Sequence, residues 1–496
     1  MELEFKIMKA NKLIILLFAC VFTLSSCHDD LNIVQTSQLS AASMWTEEGD
    51  AVAAMYGTHE KFRAAFSKGL VFWGEYRNGL WGPGNHGGLS QTDRDQIYQS
   101  TMANTNAYAD WEGIYTTINM ANLILKYTPG LTFVNENKKN EVLANAYFIR
   151  AFSYYWIARI WGDAPLCLDG FESTAQDLFP TRTPAAQIFE QVGKDINQAL
   201  ALMPASVSQR NVASPGAINM LKADYNLWMY KVRNGGATAL AAAAEAVNAV
   251  LANTSMYKLE NDYSAVFDAK TESGSEVIYA WKYTLDEYTG GYPVDYQFNS
   301  ATVSAKYHFN PIAVGVEQQW CFYTNAYVSV LTEVPTDTRL KTNYNVFYDD
   351  VMKQTFHWTN KYKGSWVNGT LILDADMVVY RLADAYMMDA EIKAESSIPG
   401  AVASLNKIAK RAYGVDNYYP TTLSAADLKN AIVKERMKEF PAEGKLWWDF
   451  IRLGVAFEMN PHLAGRQNDT NILLWPLSDD SINDNPNLGG QTDGWN

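Results

Sequence analysis

The longest regular pattern in the sequence lies in residues 138–161. Alanines recur there at every seventh position, at Ala144, Ala151 and Ala158, and larger apolar residues recur three or four positions apart. This period is typical of one face of an α-helix, and small residues at such a spacing allow a second helix to approach closely. Gly162 follows and predicts the end of the helix. The pattern therefore predicts a protein built from closely packed helices.

The same helical periodicity occurs along most of the remaining sequence. It predicts further helices at residues 41–66, 108–127, 184–202, 214–233, 237–251, 376–395, 400–413, 424–440 and 445–457. Small residues at regular spacing are also what tetratricopeptide-type helix pairs require. The predicted fold class is therefore mainly all-α.

The pattern changes after about residue 255, where aromatic residues become frequent. Val277, Tyr279 and Trp281 occupy alternate positions, which predicts a β-strand. We interpret this region as a loop-rich insertion with short strands. No low-complexity linker follows, so we predict one compact domain. Its parts are a helical region at 41–255, the insertion at about 256–375, a helical region at 376–460 and a C-terminal tail at 461–496, all within a domain at 27–496.

The N-terminal residues have the pattern of an exported protein. Three lysines precede a mostly apolar run at residues 13–24, which is too short to span a bilayer but suits the core of a signal peptide. The run stops just before Cys27, in a Leu-Ser-Ser-Cys sequence that resembles a bacterial lipobox. Residues 1–26 are thus predicted to be a lipoprotein signal peptide and Cys27 to be acylated, for example with palmitate. An ordinary signal peptide with a cysteine nearby is the alternative, and either Met1 or Met8 is the start.

Charge and motifs exclude several classes of protein. The net charge is −14 at pH 7. This argues against binding to nucleic acid, because contacts with phosphates need clustered Lys and Arg. The sequence has no HExxH, GxSxG, P-loop or dinucleotide-binding glycine motif, so we expect no metal and no cofactor. In the mature chain Cys167 and Cys321 accompany Cys27; they either pair with each other or stay free thiols.

Several segments resemble motifs of one known family. They are residues 73–78, 111–122, 146–165, 380–391, 406–412, 435–452 and 485–495. The most specific match combines Glu435, Arg436 and Glu439 with Trp448 and Asp449. Some positions depart from the family pattern, because Asp384 stands where Glu is commoner and the closing tail motif is altered. On these residues the chain resembles the SusD/RagB family of outer-membrane nutrient-binding lipoproteins.

The resemblance implies a fold and partners that the residues alone do not show. It implies about four tetratricopeptide-like helix pairs. It also implies that the protein is lipid-anchored in the cell outer membrane, faces the cell exterior and covers a SusC-like TonB-dependent transporter. Members of the family capture a glycan or oligosaccharide for polysaccharide utilisation, and some capture peptides.

A carboxylate-rich segment at residues 435–452 suggests catalysis at first sight, because glycosidases use two carboxylates. However, Glu435, Glu439 and Glu443 are four residues apart and fall on one face of a helix. We interpret them as a charged clamp between helices, with Arg436, Lys445 and Arg452 as ion-pair partners. Arg150 and Arg381 are interpreted likewise, with Glu75, Glu391 or Asp384 as their partners. No catalytic residue is predicted.

Aromatic residues carry the binding hypothesis, because sugar rings stack their C–H faces on Trp and Tyr while their hydroxyls bind Asn and Arg. Function is often placed on loops, and two segments combine these residue types. The predicted ligand-binding residues are Trp73, Arg77, Asn78 and Trp81 in the first segment, and Tyr288, Tyr292, Tyr296, Trp320 and Tyr323 in the second. The alternative is that these side chains belong to the core.

The sequence and the resemblance together predict a non-catalytic surface lipoprotein that binds an oligosaccharide and delivers it to its transporter. A peptide-binding lid on the same type of transporter is one alternative, which would favour groups that pair with a peptide backbone. A glycoside hydrolase is the other alternative, and it would need two carboxylates in a cleft.

Overall fold

The computed structural model describes residues 44–84, 90–268, 274–285, 295, 303–307, 319–368 and 370–495. The predicted signal peptide at 1–26 and the predicted lipidation site Cys27 lie outside these residues. From Glu47 onward the described chain belongs to one compact unit, Glu47–Asn496. The helices and strands below all belong to that unit.

Helices dominate the described residues. In chain order they are α1 (Glu48–Phe66), α2 (Gly69–Gly74), α3 (Thr92–Gln99), α4 (Glu112–Tyr127), α5 (Glu136–Ile160), α6 (Ala185–Leu202), α7 (Pro215–Val232), α8 (Gly236–Leu251), α9 (Asn325–Leu331), α10 (Leu340–Asn343), α11 (Leu382–Ala394), α12 (Ile398–Tyr413), α13 (Ala425–Glu439), α14 (Leu446–Arg452), α15 (Ala456–Met459) and α16 (Asp479–Asp484).

The strands are short and form two-stranded antiparallel sheets. They are β1 (Trp81–Pro83), β2 (Val277–Trp281), β3 (Cys321–Tyr323), β4 (Asn345–Asp349), β5 (Gln354–Trp358), β6 (Ser365–Val367), β7 (Thr370–Ile372) and β8 (Met377–Arg381). The sheets pair β1 with β3, β2 with β8, β4 with β5 and β6 with β7.

Four pairs of long helices form the framework. Helix α1 packs on α4, α5 on α6, α7 on α8, and α11 on α12. Helix α5 also packs on α4, and its alanines Ala144, Ala151 and Ala158 are all buried. Small side chains at these positions let the neighbouring helices approach, as the sequence pattern indicates. The mainly helical, tetratricopeptide-like fold predicted from the sequence is confirmed.

Local sequence signals set several helix ends. Ser214 accepts a hydrogen bond from the backbone N–H of Ala217 at 3.2 Å, and Pro215 follows at the first helical position of α7. A serine cap satisfies a backbone donor that the first turn leaves free, and proline fits there because its missing N–H is not needed. Helix α12 ends at Gly414, which has a positive φ of 69°.

Some predicted helices begin later than expected, among them those predicted over 41–66 and 108–127, which begin at Glu48 and Glu112. The periodicity predicts a helix over 376–395, whereas Met377–Arg381 forms strand β8 and the helix begins at Leu382. All five residues of β8 are buried, and the strand pairs with β2, which is buried along its whole length as well. A strand that is buried on both faces shows no alternation of polar and apolar residues, so its sequence cannot be distinguished from a buried helical turn.

The first short sheet joins two distant parts of the chain. Strand β1 pairs with β3, so that Trp81 lies opposite Tyr323 and Pro83 lies opposite Cys321. The backbone N–H of Thr324 also donates to the carbonyl of Leu80 at 2.8 Å. The two segments that the sequence predicts separately as binding segments are therefore neighbours in the fold.

Candidate functional site

The predicted binding residues of the first segment are buried. The indole N–H of Trp73 donates to the carbonyl of Tyr108 at 2.8 Å, and that of Trp81 donates to Glu75 Oε2 at 3.2 Å. Arg77 is fully buried, donates to the carbonyls of Leu474 and Ile472, and lies 5.1 Å from the ring centroid of Trp447. Such contacts make these side chains part of the core.

Asn78 and Tyr323 are enclosed in the same way. The side chain of Asn78 donates to Glu75 Oε2 at 3.1 Å and accepts from the backbone N–H of Leu80 at 2.8 Å. The ring of Tyr323 is buried and lies 4.8 Å from that of Trp81. A ligand does not reach these side chains in this conformation, so direct contact for them stays a prediction that the geometry does not favour. Composition alone could not separate an aromatic loop from an aromatic core.

In the second predicted segment, Trp320 is half-buried. Tyr288, Tyr292 and Tyr296 lie outside the described residues. The guanidinium carbon of Arg94, on α3, lies 5.1 Å from the ring centroid of Trp320. Arg94 also donates to both carboxylate oxygens of Asp295, at 2.7 and 3.3 Å. Burial disfavours the charge of Arg94, but Asp295 outweighs this effect and raises the pKa of Arg94. The arginine is thereby fixed as a cation beside the indole.

A tyrosine extends this surface. The ring of Tyr108 stacks on that of Phe72 with a centroid separation of 3.5 Å, and the guanidinium of Arg94 lies 5.6 Å from the same Phe72 ring. Tyr108 and Arg94 are half-buried, whereas Phe72 is buried beneath them. We call Trp320, Arg94 and Tyr108 the Trp320 platform. It offers two aromatic faces and an oriented guanidinium at the surface, which suits stacking together with hydrogen bonding.

Sequence reasoning identified Trp320 but missed Arg94, Tyr108 and Asp295. The short helix α3 has no extended apolar periodicity, because only Ile97 and Tyr98 of its eight residues are buried. No signal in the sequence could therefore place Arg94 beside Trp320. Asp295 belongs to the insertion, where the sequence predicts loops and gives no contact partners.

The carboxylates at 435–443 form a buried ionic cluster, as the clamp interpretation predicts, but with other partners than expected. Glu439 accepts hydrogen bonds from Arg381, Arg339 and Arg411, and Glu443 accepts from Arg381 and Lys361. Burial would raise the pKa of Glu439, but Arg411, Arg381 and Arg339 lower it below its ordinary value.

Glu435 is also buried among hydrogen-bond donors, and Glu443 lies beyond the end of its helix. Glu435 accepts from Arg339 and from the hydroxyls of Tyr413 and Tyr419. Helix α13 ends at Glu439, so Glu443 lies in the following turn and not on the same helical face. All three glutamates are fully buried, and ion pairs and, for Glu435, tyrosine hydroxyls occupy their oxygens.

The expected cations pair elsewhere. Arg436 and Arg452 both contact Asp449, and Lys445 contacts Asp384. Arg150 forms a bidentate pair with Asp195, with N–O distances of 2.7 and 2.8 Å, whereas Glu75, Glu391 and Asp384 were the partners expected for it. These arginines and lysines do form buried ion pairs, as expected. The sequence alone could not show which carboxylate each of them contacts, because it gives no distances.

Two sizeable cavities lie apart from the Trp320 platform. One, of about 510 Å³, is lined by Trp111, Tyr115, Phe171 and four carboxylates on α4, α16 and the loops beside them. The other, of about 520 Å³, lies beside α1. In the described residues no group of three or more His, Cys, Asp or Glu side chains has the arrangement of a metal site.

Comparison with known families assigns the chain to a class of protein. Residues 83–217 match a SusD-like family model described as starch-binding and associating with the outer membrane, and residues 323–495 match the SusD family model. With the fold of four helix pairs, these matches show that the chain belongs to the SusD/RagB family, as its motifs indicate. None of the described helices combines the length and the apolar character needed to cross a membrane.

Individual relatives are similar along most of their length. SusD-like protein P38 of Formosa agariphila is 23 % identical over 497 residues, covering 94 % of this chain and 95 % of that protein. The structure of B. fragilis NanU has 25 % sequence identity and a TM-score of 0.79, covering 94 % of this chain and 100 % of the other. A laminarin-binding SusD-like protein has the same fold at 18 % identity with a TM-score of 0.74, covering 91 % of this chain and 100 % of the other.

Proposed function

We propose that this protein is a non-catalytic surface lipoprotein that binds an oligosaccharide and delivers it to a SusC-like TonB-dependent transporter. The observation that carries the proposal is the Trp320 platform, in which an aromatic face lies 5.1 Å from a guanidinium held by Asp295. The family model described as starch-binding and the laminarin-binding protein of the same fold support a glycan as the ligand class.

The platform suits a sugar for a chemical reason. A pyranose ring has an apolar C–H face that packs on an indole or phenol ring, and its hydroxyls accept hydrogen bonds from a guanidinium. Because the Arg94–Asp295 pair fixes the guanidinium before the ligand arrives, little side-chain entropy is lost on binding. The three predicted tyrosines at 288, 292 and 296 belong to the same insertion as Asp295 and remain proposed ligand contacts.

The state of the clamp carboxylates supports binding without hydrolysis. A glycosidase needs two carboxyl groups facing the scissile bond, one of them able to donate a proton. Glu435, Glu439 and Glu443 are fully buried, and each is engaged by cations. These residues cannot meet a substrate, so the conspicuous acidic motif supports the fold and not a reaction.

Anchoring and delivery belong to the same proposal. Residues 1–26 would be removed and Cys27 acylated, which would fix the protein to the outer membrane with its binding surface towards the exterior. More than one acyl chain is needed for stable anchoring. In cells, Cys27→Ala is expected to release the protein from the membrane fraction, and retention of the variant there would contradict the lipid anchor.

Calorimetry on residues 28–496 tests the binding function. The ligands are starch and laminarin oligosaccharides and a mixture of short peptides, and product analysis of the same samples checks for hydrolysis. We expect a glycan to bind without being cleaved. Trp320→Ala and Arg94→Ala should each weaken its binding roughly tenfold or more, because truncating a central aromatic or arginine contact costs about 2 kcal/mol.

Tyr418→Ala is the matched control, since Tyr418 is an exposed aromatic residue that stacks on Tyr413 between α12 and α13. It should bind like the unmodified protein. Binding of peptides alone would favour the peptide-capturing alternative, and released sugar would show that the protein is an enzyme. Unchanged glycan affinity in both platform variants would rule out the Trp320 platform as the binding site.

A further inference from the structure

The cavity of about 510 Å³ between α4 and α16 has no part in the proposed function. Its walls are the beginning of α4, the connection between α5 and α6, and helix α16 with the residues that follow it. The volume lies within the roughly 300–1,000 Å³ that is usual for binding pockets. None of the lining residues belongs to the Trp320 platform. We call it the α4–α16 cavity.

Hydrogen bonds between the walls fix the shape of the α4–α16 cavity. The hydroxyl of Tyr115, on α4, donates to the carbonyl of Pro165 at 2.7 Å. The side-chain nitrogen of Asn485, after α16, donates to the carbonyl of Pro180 at 2.9 Å. Both α4 and the C-terminal residues are thus tied to the α5–α6 connection. A site whose walls are fixed in this way loses little conformational entropy when it binds.

The α4–α16 cavity is acidic. It is lined by Asp110, Glu112, Asp480 and Asp484, and by no described Lys, Arg or His. No ion pair among the described residues includes Glu112, Asp480 or Asp484. A carboxylate in the first turn of a helix is stabilising, which accounts for Glu112 on α4. Asp484 is the last residue of α16, where the helix dipole does not favour a carboxylate, so its position needs another explanation.

Trp111 adds a hydrogen-bond donor that has no partner. The residue is only 7 % exposed, and its ring packs edge-on against Trp161 and Tyr115 at centroid separations of 5.6 and 5.4 Å. The indole N–H of Trp161 donates to two backbone carbonyls, whereas that of Trp111 donates to no described residue and is not closed off from solvent. A buried indole usually finds an acceptor. Because Trp111 lines the cavity, its N–H is open to an acceptor that enters there.

Apolar side chains surround these polar groups. The half-buried rings of Tyr115 and Phe171 line the cavity, and such rings attract a cation placed over their faces. Leu168, Leu178 and Phe179 of the α5–α6 connection are 39, 40 and 46 % exposed. An exposed apolar patch of this kind is typical of an interaction surface.

We propose that the α4–α16 cavity is a docking site for a short segment of a partner protein, in which a lysine or an arginine stands next to an apolar residue. The cation would pair with Asp480 and Asp484. The apolar side chain would cover Leu178, and a backbone carbonyl of the segment would accept from the indole N–H of Trp111. A neutral sugar would leave the carboxylates without a counter-charge, and a free polyamine would leave the indole N–H without an acceptor.

Calorimetry with short acetylated and amidated peptides tests the docking site on the detergent-solubilised full-length protein. The probe peptides have a lysine or an arginine between leucines. The control peptides carry acetyl-lysine or citrulline instead, which removes the charge and keeps the length of the side chain. We expect the basic peptides to bind and the uncharged peptides to bind about tenfold more weakly or not at all. Added salt should weaken the binding, because the carboxylates are solvent-accessible.

Variants of the cavity locate the binding. Asp480→Asn combined with Asp484→Asn should weaken binding of the basic peptides about tenfold. Trp111→Phe keeps an aromatic ring but lacks the N–H, and it should weaken binding several-fold. Glu136→Gln combined with Glu190→Gln is the matched control, because it removes two charges from exposed positions on α5 and α6 that do not line the cavity. The control should bind like the unmodified protein.

Cys167 gives a second measurement that does not depend on affinity. It lines the cavity and is half-buried. A bound basic peptide should therefore slow the alkylation of Cys167 by iodoacetamide, and the acetyl-lysine peptide at the same concentration should not.

The outcomes decide the proposal. It is overturned if the basic peptides do not bind, if the Asp480/Asp484 variant binds them as tightly as the matched control, or if they leave the labelling of Cys167 unchanged. Spermidine that binds as tightly as the peptides would indicate a site for free amines and would also overturn it. Loss of peptide binding in Trp320→Ala would assign the peptides to the Trp320 platform, whereas unchanged peptide binding in that variant supports a separate docking site.

Discussion

At the scale of single residues, Glu75 shows how burial decides protonation. It accepts hydrogen bonds from Asn78, from the indole of Trp81 and from the backbone N–H of Lys445. Burial is the largest effect and raises the pKa of Glu75 to about 8, while the bonds from Trp81 and Lys445 act in the opposite direction. The side chain is thus a neutral carboxylic acid at pH 7, in contrast to Glu439 and Glu443, whose pKa values are lowered by the cations around them.

This state makes stability depend on pH in a defined direction. Below pH 4.5 Glu75 is protonated in both the folded and the unfolded chain, so its ionisation has no effect. Between pH 4.5 and about 8 only the unfolded chain ionises it, so stability falls as pH rises, by up to about 1.4 kcal/mol per pH unit. Glu75→Gln removes this contribution, and the variant should gain stability relative to the original protein from pH 5 to pH 8. Denaturant unfolding at several pH values measures the difference, and a constant difference across that range would contradict a raised pKa.

At the scale of elements, Arg381 lies where strand β8 passes into helix α11. It donates to Glu276, Glu439 and Glu443, and so connects β8 to the segment before β2, to α13 and to the turn after α13. All four side chains are fully buried. Removing one partner from such a cluster leaves uncompensated charges without water.

Arg381→Ala is therefore expected to destabilise the fold by about 3–5 kcal/mol. Lys434→Ala is the matched control, since Lys434 forms an exposed ion pair with Glu333 at 2.9 Å with both side chains nearly half exposed. Its loss should cost less than about 1 kcal/mol. The free energies of unfolding in urea give both values, and similar effects for the two variants would show that the buried cluster contributes little.

The elements also show how far sequence reasoning reaches. Long helices such as α5 and α7 repeat their apolar period several times, and their predicted bounds agree with the structure within one or two residues. The six-residue α2 and eight-residue α3 are too short to show a period, so they were not predicted. For the same reason the neighbourhood of Trp320 was predicted only in part. Burial of Trp73 and Trp81 depends on distant partners, which no local pattern contains.

At the scale of the whole molecule, the two cysteines of the described chain report on the integrity of the fold. Cys167 and Cys321 are free thiols, which decides between the two alternatives that the sequence leaves open. Burial raises the pKa of Cys167 to about 11 and raises that of Cys321 still further. Little reactive thiolate is therefore present at neutral pH.

We expect iodoacetamide to modify Cys167 slowly in the native protein at pH 8, because the thiol is half-buried, and Cys321 only when the chain unfolds. Mass spectrometry of peptides after timed labelling measures both rates. The unfolded protein in urea is the control and should react at both sites at the rate of an ordinary cysteine. Rapid native labelling of Cys321 would show that the region around β3 opens without global unfolding, and a disulfide between the two would block both reactions.

The pairing of β1 with β3 has a consequence for the order in which the molecule is made. These strands come from opposite halves of the chain, and closing so long a loop carries an entropic cost that local helix pairs avoid. The helix pairs of the first half can form as soon as their own residues are free to fold, whereas the surface around Trp320 must wait for β3. Under the proposed function, competence to capture a ligand would then arise late in folding, and a chain truncated before β3 would be folded in part yet lack the Trp320 platform.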